Sequence, residues 1–367
     1  MSTPQTPYDA VLQAARDVTA VETALEAEML GGALLGSVYS LAETDRGAAM
    51  QEFVGKFLAH TSRRRTAPAR AIRNVFATLA PDAAGAAKVR SGPNPPRWSA
   101  QLGQVRPVGA WAYGDVYGDQ TSYLAIFAYD DPELGGGEHA VVVLVDHNIG
   151  IVKDLFVSQP GRLVVEEVRK AAEADDLVWM SGVDPGVLRA QVSHHLEITD
   201  SLSVLPDEGS LATDRALVGA RLASLPGDVA LPEPPAPVEP ASLVPEFLAS
   251  PQAAGLDRST PEADASVQYV VQLMLHFAED APDADPLRWS PAVAGLFLLD
   301  WVHRRAVLDD DDVATLPGVL RAWVAWCAVR RGLPDAAADA TREAIDTMVP
   351  ELARLHGASE NQIPRPR

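Results

Sequence analysis

The sequence predicts an α+β fold in which N-terminal helices pack with a four-stranded antiparallel β meander, followed by a separate all-α C-terminal domain. Three observations carry this reading. Four runs rich in Val, Ile, Tyr, Phe and Trp fall between Pro107 and Ser158, joined by short glycine-containing turns. Apolar residues on either side of that region recur at helical spacing. Seven prolines lie within residues 226–245, a density that favours an extended, semi-rigid segment. The predicted organisation is therefore an α+β domain over 1–225 (helices 8–90, meander 107–158, helices 162–225), a linker over 226–245 and a helical domain over 246–367.

In the first 90 residues, Val11, Ala14, Ala15, Val18, Val21, Leu25, Met29 and Leu30 follow one helical spacing. Met50, Phe53, Val54, Phe57 and Leu58 share a face of a second helix, and Ile72, Val75, Phe76 and Leu79 a face of a third. The SGPNPP stretch, Ser91–Pro96, breaks the helical region.

The strand runs are Gly109–Tyr117, Gln120–Asp130, Glu138–Asp146 and Ile151–Ser158. Gly118-Asp119 suits a two-residue type II′ hairpin turn, which places Asp115 opposite Ser122. A two-residue turn at Ile149-Gly150 places Asp146 opposite Lys153. Val141–Val145 is apolar on both alternating faces, as expected of a strand covered on both sides. Leu163–Ala174 and Pro185–Ile198 then read as helices, with Val178-Trp179-Met180 as a short strand between them.

Beyond the linker, Ser290-Pro291 has the order of a helix start, cap and then proline. Leu320, Trp323, Val324 and Cys327 form one helical face. That helix ends at Arg330-Arg331-Gly332 with Pro334 beyond, where cations, glycine and proline together form a stop signal. A last helix carries Ile345, Met348, Val349, Leu352 and Leu355, and Pro350 is expected to kink or split it.

Fifty Asp and Glu against thirty Lys and Arg give a net charge of −20. Such a field repels nucleic acid and anionic membrane, so the expected partner is a protein, basic in charge. A single cysteine, Cys327, excludes an internal disulfide and multi-cysteine metal sites, and no cofactor motif is present. The polar stretch Met1–Tyr8 lacks the features of a signal peptide, and a cytoplasmic location is expected.

Alternate turns of a meander fall at one end of the sheet. Asp119 and Gln120 should therefore meet Asp146, His147 and Asn148. Asp115, Asp119, Asp146, His147 and Asp154 are the candidate metal-binding or acid–base residues, since converging carboxylates and an imidazole suit either role. Turn chemistry alone explains many of the same residues. His194-His195 are adjacent and cannot share a helical face. Asp309–Asp312 lacks the glycine and glutamate of a calcium loop and reads as helix N-terminal charge, with Arg304 and Arg305 as partners. The Arg63–Arg73 island reads as a phosphate or acidic-partner site or as a solvated loop. In the cluster of Trp289, Trp301, Trp323 and Trp326, Trp323 lies on the apolar face and reads as core, and Trp326, off that face, gives a partner surface if exposed or part of a wide buried face if not.

The segments GDQ (Gly118–Gln120), EHAVVVLVDHN (Glu138–Asn148), RWSP (Arg288–Pro291), FLLDW (Phe297–Trp301) and VLRAWV (Val319–Val324) resemble an uncharacterised actinobacterial protein family. The resemblance implies no activity. Two function classes fit the sequence: a non-catalytic interaction or regulatory protein, or a metal-dependent hydrolase or small-ligand binder at the meander edge.

Overall fold

A computed structural model describes residues 6–84, 94–206, 209–227, 229–231, 239–282 and 284–358. The chain is α+β, as expected. Its N-terminal helices are α1 (Pro7–Ala14), α2 (Ala24–Leu41), α3 (Arg46–Thr61), α4 (Ala67–Leu79) and the single turn α5 (Pro81–Ala84). The helical spacing across Val11–Leu30 does not give one helix. Residues Ala15–Thr19 tighten into a 3-10 turn, and Thr23 starts α2 anew. The Thr23 hydroxyl accepts from the Glu26 amide while the Glu26 carboxylate accepts from the Thr23 amide. This capping box satisfies the orphan amides at a helix start and fixes the break that apolar spacing alone cannot show.

The sheet has five strands rather than four: β1 (Val105–Asp115), β2 (Gln120–Tyr129), β3 (Glu138–Asp146), β4 (Ile151–Ser158) and β5 (Val178–Gly182). Their order is β4-β3-β2-β1-β5, with every pair antiparallel. The first four form the predicted meander. The stretch around Val178-Trp179-Met180 joins as the fifth, lying against β1 from Trp111↔Gly182 to Asp115↔Val178. The helices after β2 are α6 (Pro132–Gly135), α7 (Gly161–Ala174), α8 (Pro185–Asp200) and α9 (Leu211–Ala223).

Both faces of β3 are covered, as its unbroken apolar run requires. Val141, Val143 and Val145 pack with Tyr39 of α2, Leu188, Val192 and Leu196 of α8, and Val218 and Leu222 of α9. Ala140 and Val142 pack on the other side with Val165 of α7. Helix α2 approaches α9 closely at the GGALLG run. A Cβ on Gly36 would stand 2.5 Å from the Ala212 carbonyl oxygen, so glycine is required by helix packing there.

The C-terminal helices are α10 (Pro240–Leu248), α11 (Pro261–Glu279), α12 (Pro291–Leu296), α13 (Val302–Arg305), α14 (Asp310–Arg331) and α15 (Asp335–Ala358). Residues 228 and 232–238 of the proline-rich linker lie outside the described residues, and its last part, from Pro240, is already helical. Pro350 does not split α15, because Ile345 and Leu352 on either side of it are buried in the same core. Ser290 caps α12, Asp309 and Asp312 form a capping box at α14, and Gly332 ends α14 in the left-handed conformation at φ 66°. The tryptophan cluster is interior: Trp289, Trp301, Trp323 and Trp326 are all buried, so it supplies core rather than an exposed surface.

One core cluster draws only on residues 243–352, and the others only on residues 15–225. Among the described residues, α14 alone is long and apolar enough to cross a membrane, and 56% of that window is buried in the C-terminal core.

Candidate functional site

The meander edge is where the two halves of the chain meet. The first hairpin is wider than a two-residue turn. The register runs Tyr113↔Ser122 and Gly114↔Thr121, so Asp115 falls level with Gln120 and not with Ser122. The cause is the Asp115 carboxylate itself. One oxygen accepts from the Gly118 and Asp119 amides at 2.7 and 3.0 Å, and the other from the Gln120 amide at 2.8 Å. These three bonds hold open a four-residue turn with Gly118 at φ 84°.

The second hairpin is corrected in the same way. Asp146 pairs with Ile151, leaving His147–Gly150 as the turn, and a bulge takes Lys153 out of the register. The predicted Asp146–Lys153 contact survives as a 3.8 Å ion pair made from that bulge. Asp146 also accepts from the Gln120 side chain at 3.3 Å and the Asn148 amide at 3.0 Å.

The C-terminal half supplies the partners. Arg288, just before α12, donates to Asp119 at 3.0 Å and to the Asn148 side chain at 2.7 Å. Arg331, at the end of α14, donates twice to the Tyr117 carbonyl at 3.0 Å. The Tyr117 hydroxyl donates to the Ala337 carbonyl of α15 at 3.2 Å. Asp119 is buried, and that burial holds its carboxyl above the usual range, opposed by Ser290, Asn148 and Arg288.

Of the five candidate residues, Asp115, Asp119 and Asp146 line one cleft with Pro291, Leu296 and Asp300 from the other half. Its volume is about 820 Å³. His147 and Asp154 are engaged elsewhere. The His147 ring lies 3.0 Å from the Thr121 hydroxyl and makes an edge contact with His195, centroids 5.6 Å apart. Burial first, then the neighbouring His195 and Arg288, lowers the His147 pKa. Asp154 accepts from the Ser210 amide at 2.8 Å, at the start of α9, where a helix N-terminus favours an anion. Among the described residues, no group of three or more His, Cys, Asp and Glu side chains is arranged to hold a metal ion. The four carboxylates instead accept from backbone amides, the Gln120 side chain, Arg288 and Lys153.

The other sequence candidates resolve simply. His195 is buried, with Nδ1 2.8 Å from the Gln191 carbonyl. Arg304 pairs with Asp300 of the preceding turn rather than with Asp309–Asp312. In the arginine island, Arg64 reaches Asp9 at 3.1 Å and Arg73 reaches the Thr61 carbonyl at 3.3 Å. Sequence reasoning missed Arg288 and Arg331 as partners of the edge. The only local signal was their charge.

No protein-family model matches the chain, and neither a curated protein nor a solved structure does.

Arg288→Ala is expected to loosen this joint, leaving Asp119 buried without its cation. The expected cost is about 2 kcal/mol, below the ~3–5 kcal/mol of a fully buried broken pair, because Asp119 can take up a proton instead. Differential hydrogen exchange should show faster exchange in the 116–120 and 147–150 turns. Unchanged exchange in both turns would show that Arg288 does not hold the joint.

Proposed function

We propose that the protein is a non-catalytic interaction or regulatory protein of the cytoplasm, acting on a basic protein partner. One observation carries this reading: the reactive side chains at the meander edge are already engaged by partners within the protein. Asp115 closes its own turn, Asp119 holds Arg288, Asp146 holds Gln120 and Lys153, and His147 meets Thr121. A catalytic carboxylate needs an oxygen directed at substrate, whereas Asp119 ties the sheet to Arg288 of the other half and the rest bond within their own turns and strands. The net charge of −20 supports a basic partner and disfavours nucleic acid and anionic membrane. An actinobacterial source, suggested by the resemblance, is part of the same proposal.

Purification of the tagged chain from its native host, in a salt series with metal analysis, tests the proposal. A basic protein should be retained at about 50 mM salt and lost by about 300 mM, because exposed charge pairs are screened over that range. Near-stoichiometric metal surviving dialysis, or nucleic acid as the retained species, would overturn it.

The cleft of about 820 Å³ favours a second reading, a small-ligand-binding protein with its site at the joint. The metal-dependent form of that reading has no free donor set to rest on among the described residues.

A further inference from the structure

Beside the wide cleft lies a smaller and more enclosed cavity of about 260 Å³. It opens between the 147–150 turn, the end of α11 and the start of α12. Phe277, Trp289, Val293 and Trp301 form its walls. Ile149 and Leu296, both exposed apolar side chains, line this cavity and the cleft alike. Three carboxylates, Asp280, Asp285 and Asp300, complete the lining, with Arg288 and Arg304.

The charges are unevenly matched. Arg304 is paired with Asp300, and Arg288 with Asp119. Among the described residues, Asp280 and Asp285 make their hydrogen bonds to neutral donors, the Trp301 indole at 2.8 Å and the Leu287 amide at 2.9 Å. A second feature points to the same place. The α12–α13 helix is interrupted by a π-helical turn at Phe297–Trp301, and that turn places both Asp300 and Trp301 on the cavity. Such turns recur at functional sites because they re-aim side chains without ending the helix. Aromatic faces attract cations through the ring quadrupole, and a carboxylate beside them adds direct charge attraction.

We propose that this cavity binds a small organic cation, an alkyl- or arylammonium, with its apolar body against Phe277, Trp289 and Trp301 and its charge facing Asp280 and Asp285. The volume is below the ~300–1,000 Å³ of drug-sized sites, which limits the ligand to a small molecule. The inference rests on the ligand-binding reading of the joint. It names the ligand class and moves the binding seat from the edge carboxylates into the aromatic cavity.

The test is titration of the full chain with benzyltrimethylammonium, followed by tryptophan fluorescence and calorimetry. Neopentylbenzene, the neutral shape match, and phenylacetate, an anion, serve as comparisons. The cation should bind saturably, and the neutral match about two- to thirtyfold more weakly, the range a cation–π contact provides. Phenylacetate should not bind. Asp280→Asn with Asp285→Asn should weaken the cation about tenfold while leaving the melting temperature unchanged, because asparagine can still accept from Trp301 and Leu287. Asp146→Asn, at the meander edge, should have no effect. Equal binding of the neutral match, or no binding of the cation at millimolar concentration, would overturn the inference. Loss of cation binding in Asp146→Asn alone would also overturn it, while leaving the edge itself as the ligand site.

Discussion

Arg221→Ala is expected to cost about 3–5 kcal/mol, the penalty for removing one member of a buried charge pair. Arg221 is 1% exposed and its partner Glu28 0%. The guanidinium pairs with the Glu28 carboxylate, donates to the Tyr129 hydroxyl at 2.7 Å and donates to His139 Nε2 at 2.8 Å. Glu28 in turn accepts from the Tyr129 hydroxyl and from the Gly103 amide, each at 2.7 Å. These contacts tie α2, the loop before β1, the end of β2, the start of β3 and α9 to a single point. Without the guanidinium, a carboxylate is left in the interior with two neutral donors. Replacing both charges should behave differently: Arg221→Met with Glu28→Met removes the lone buried charge but leaves the Tyr129 hydroxyl, the Gly103 amide and His139 Nε2 without these partners, so only part of the loss is expected back. Hydrogen exchange of the β2 and β3 amides reads the stability of this region directly. A loss below about 1 kcal/mol for Arg221→Ala would show that the pair is not a critical tie.

This network also marks where the sequence stopped being legible. The meander, the places of its two turns, the helix start at Ser290-Pro291 and the helix stop at Gly332 follow from local chemistry and were readable. The hairpin register was not. A slip of two residues leaves every side chain on its original face, so alternation cannot detect it. The register was set by the three amides that the Asp115 carboxylate accepts, a feature of turn geometry rather than of pattern. The edge residues were singled out for their chemistry, and three of the five do line one cleft. Their partner Arg288 lies 169 positions from Asp119 in sequence, and Arg221 lies 193 from Glu28. Nothing within a window of one helix or strand announces a pair at that separation. The same holds for His139, which in sequence is one polar residue at the start of an apolar strand.

Stability is expected to fall by about 2 kcal/mol between pH 8 and pH 5 on account of His139 alone. The ring is fully buried, and its pKa is lowered to about 3, by burial first and by the Arg221 charge second. The sign follows from the proton count. In the unfolded chain the imidazole titrates near its ordinary value of ~6.5, so below that pH the unfolded state binds a proton that the folded state refuses. The contribution is complete above about pH 6.5 and is lost progressively as the pH falls toward the folded value of about 3. The folded state refuses the proton because His139 Nε2 already accepts from the Arg221 guanidinium, and an imidazolium there would set two cations side by side in the core. His147 and His195 are also lowered, so the whole protein will show a steeper acid slope than one histidine gives. His139→Gln isolates the single contribution: its amide oxygen keeps an acceptor for Arg221 and has nothing to titrate. Urea unfolding of the parent and the variant, run from pH 8 to pH 5, should give curves that diverge by one proton's slope below about pH 6.5. Parallel curves would mean that His139 takes up its proton in the folded state, and that Arg221 tolerates a second cation beside it.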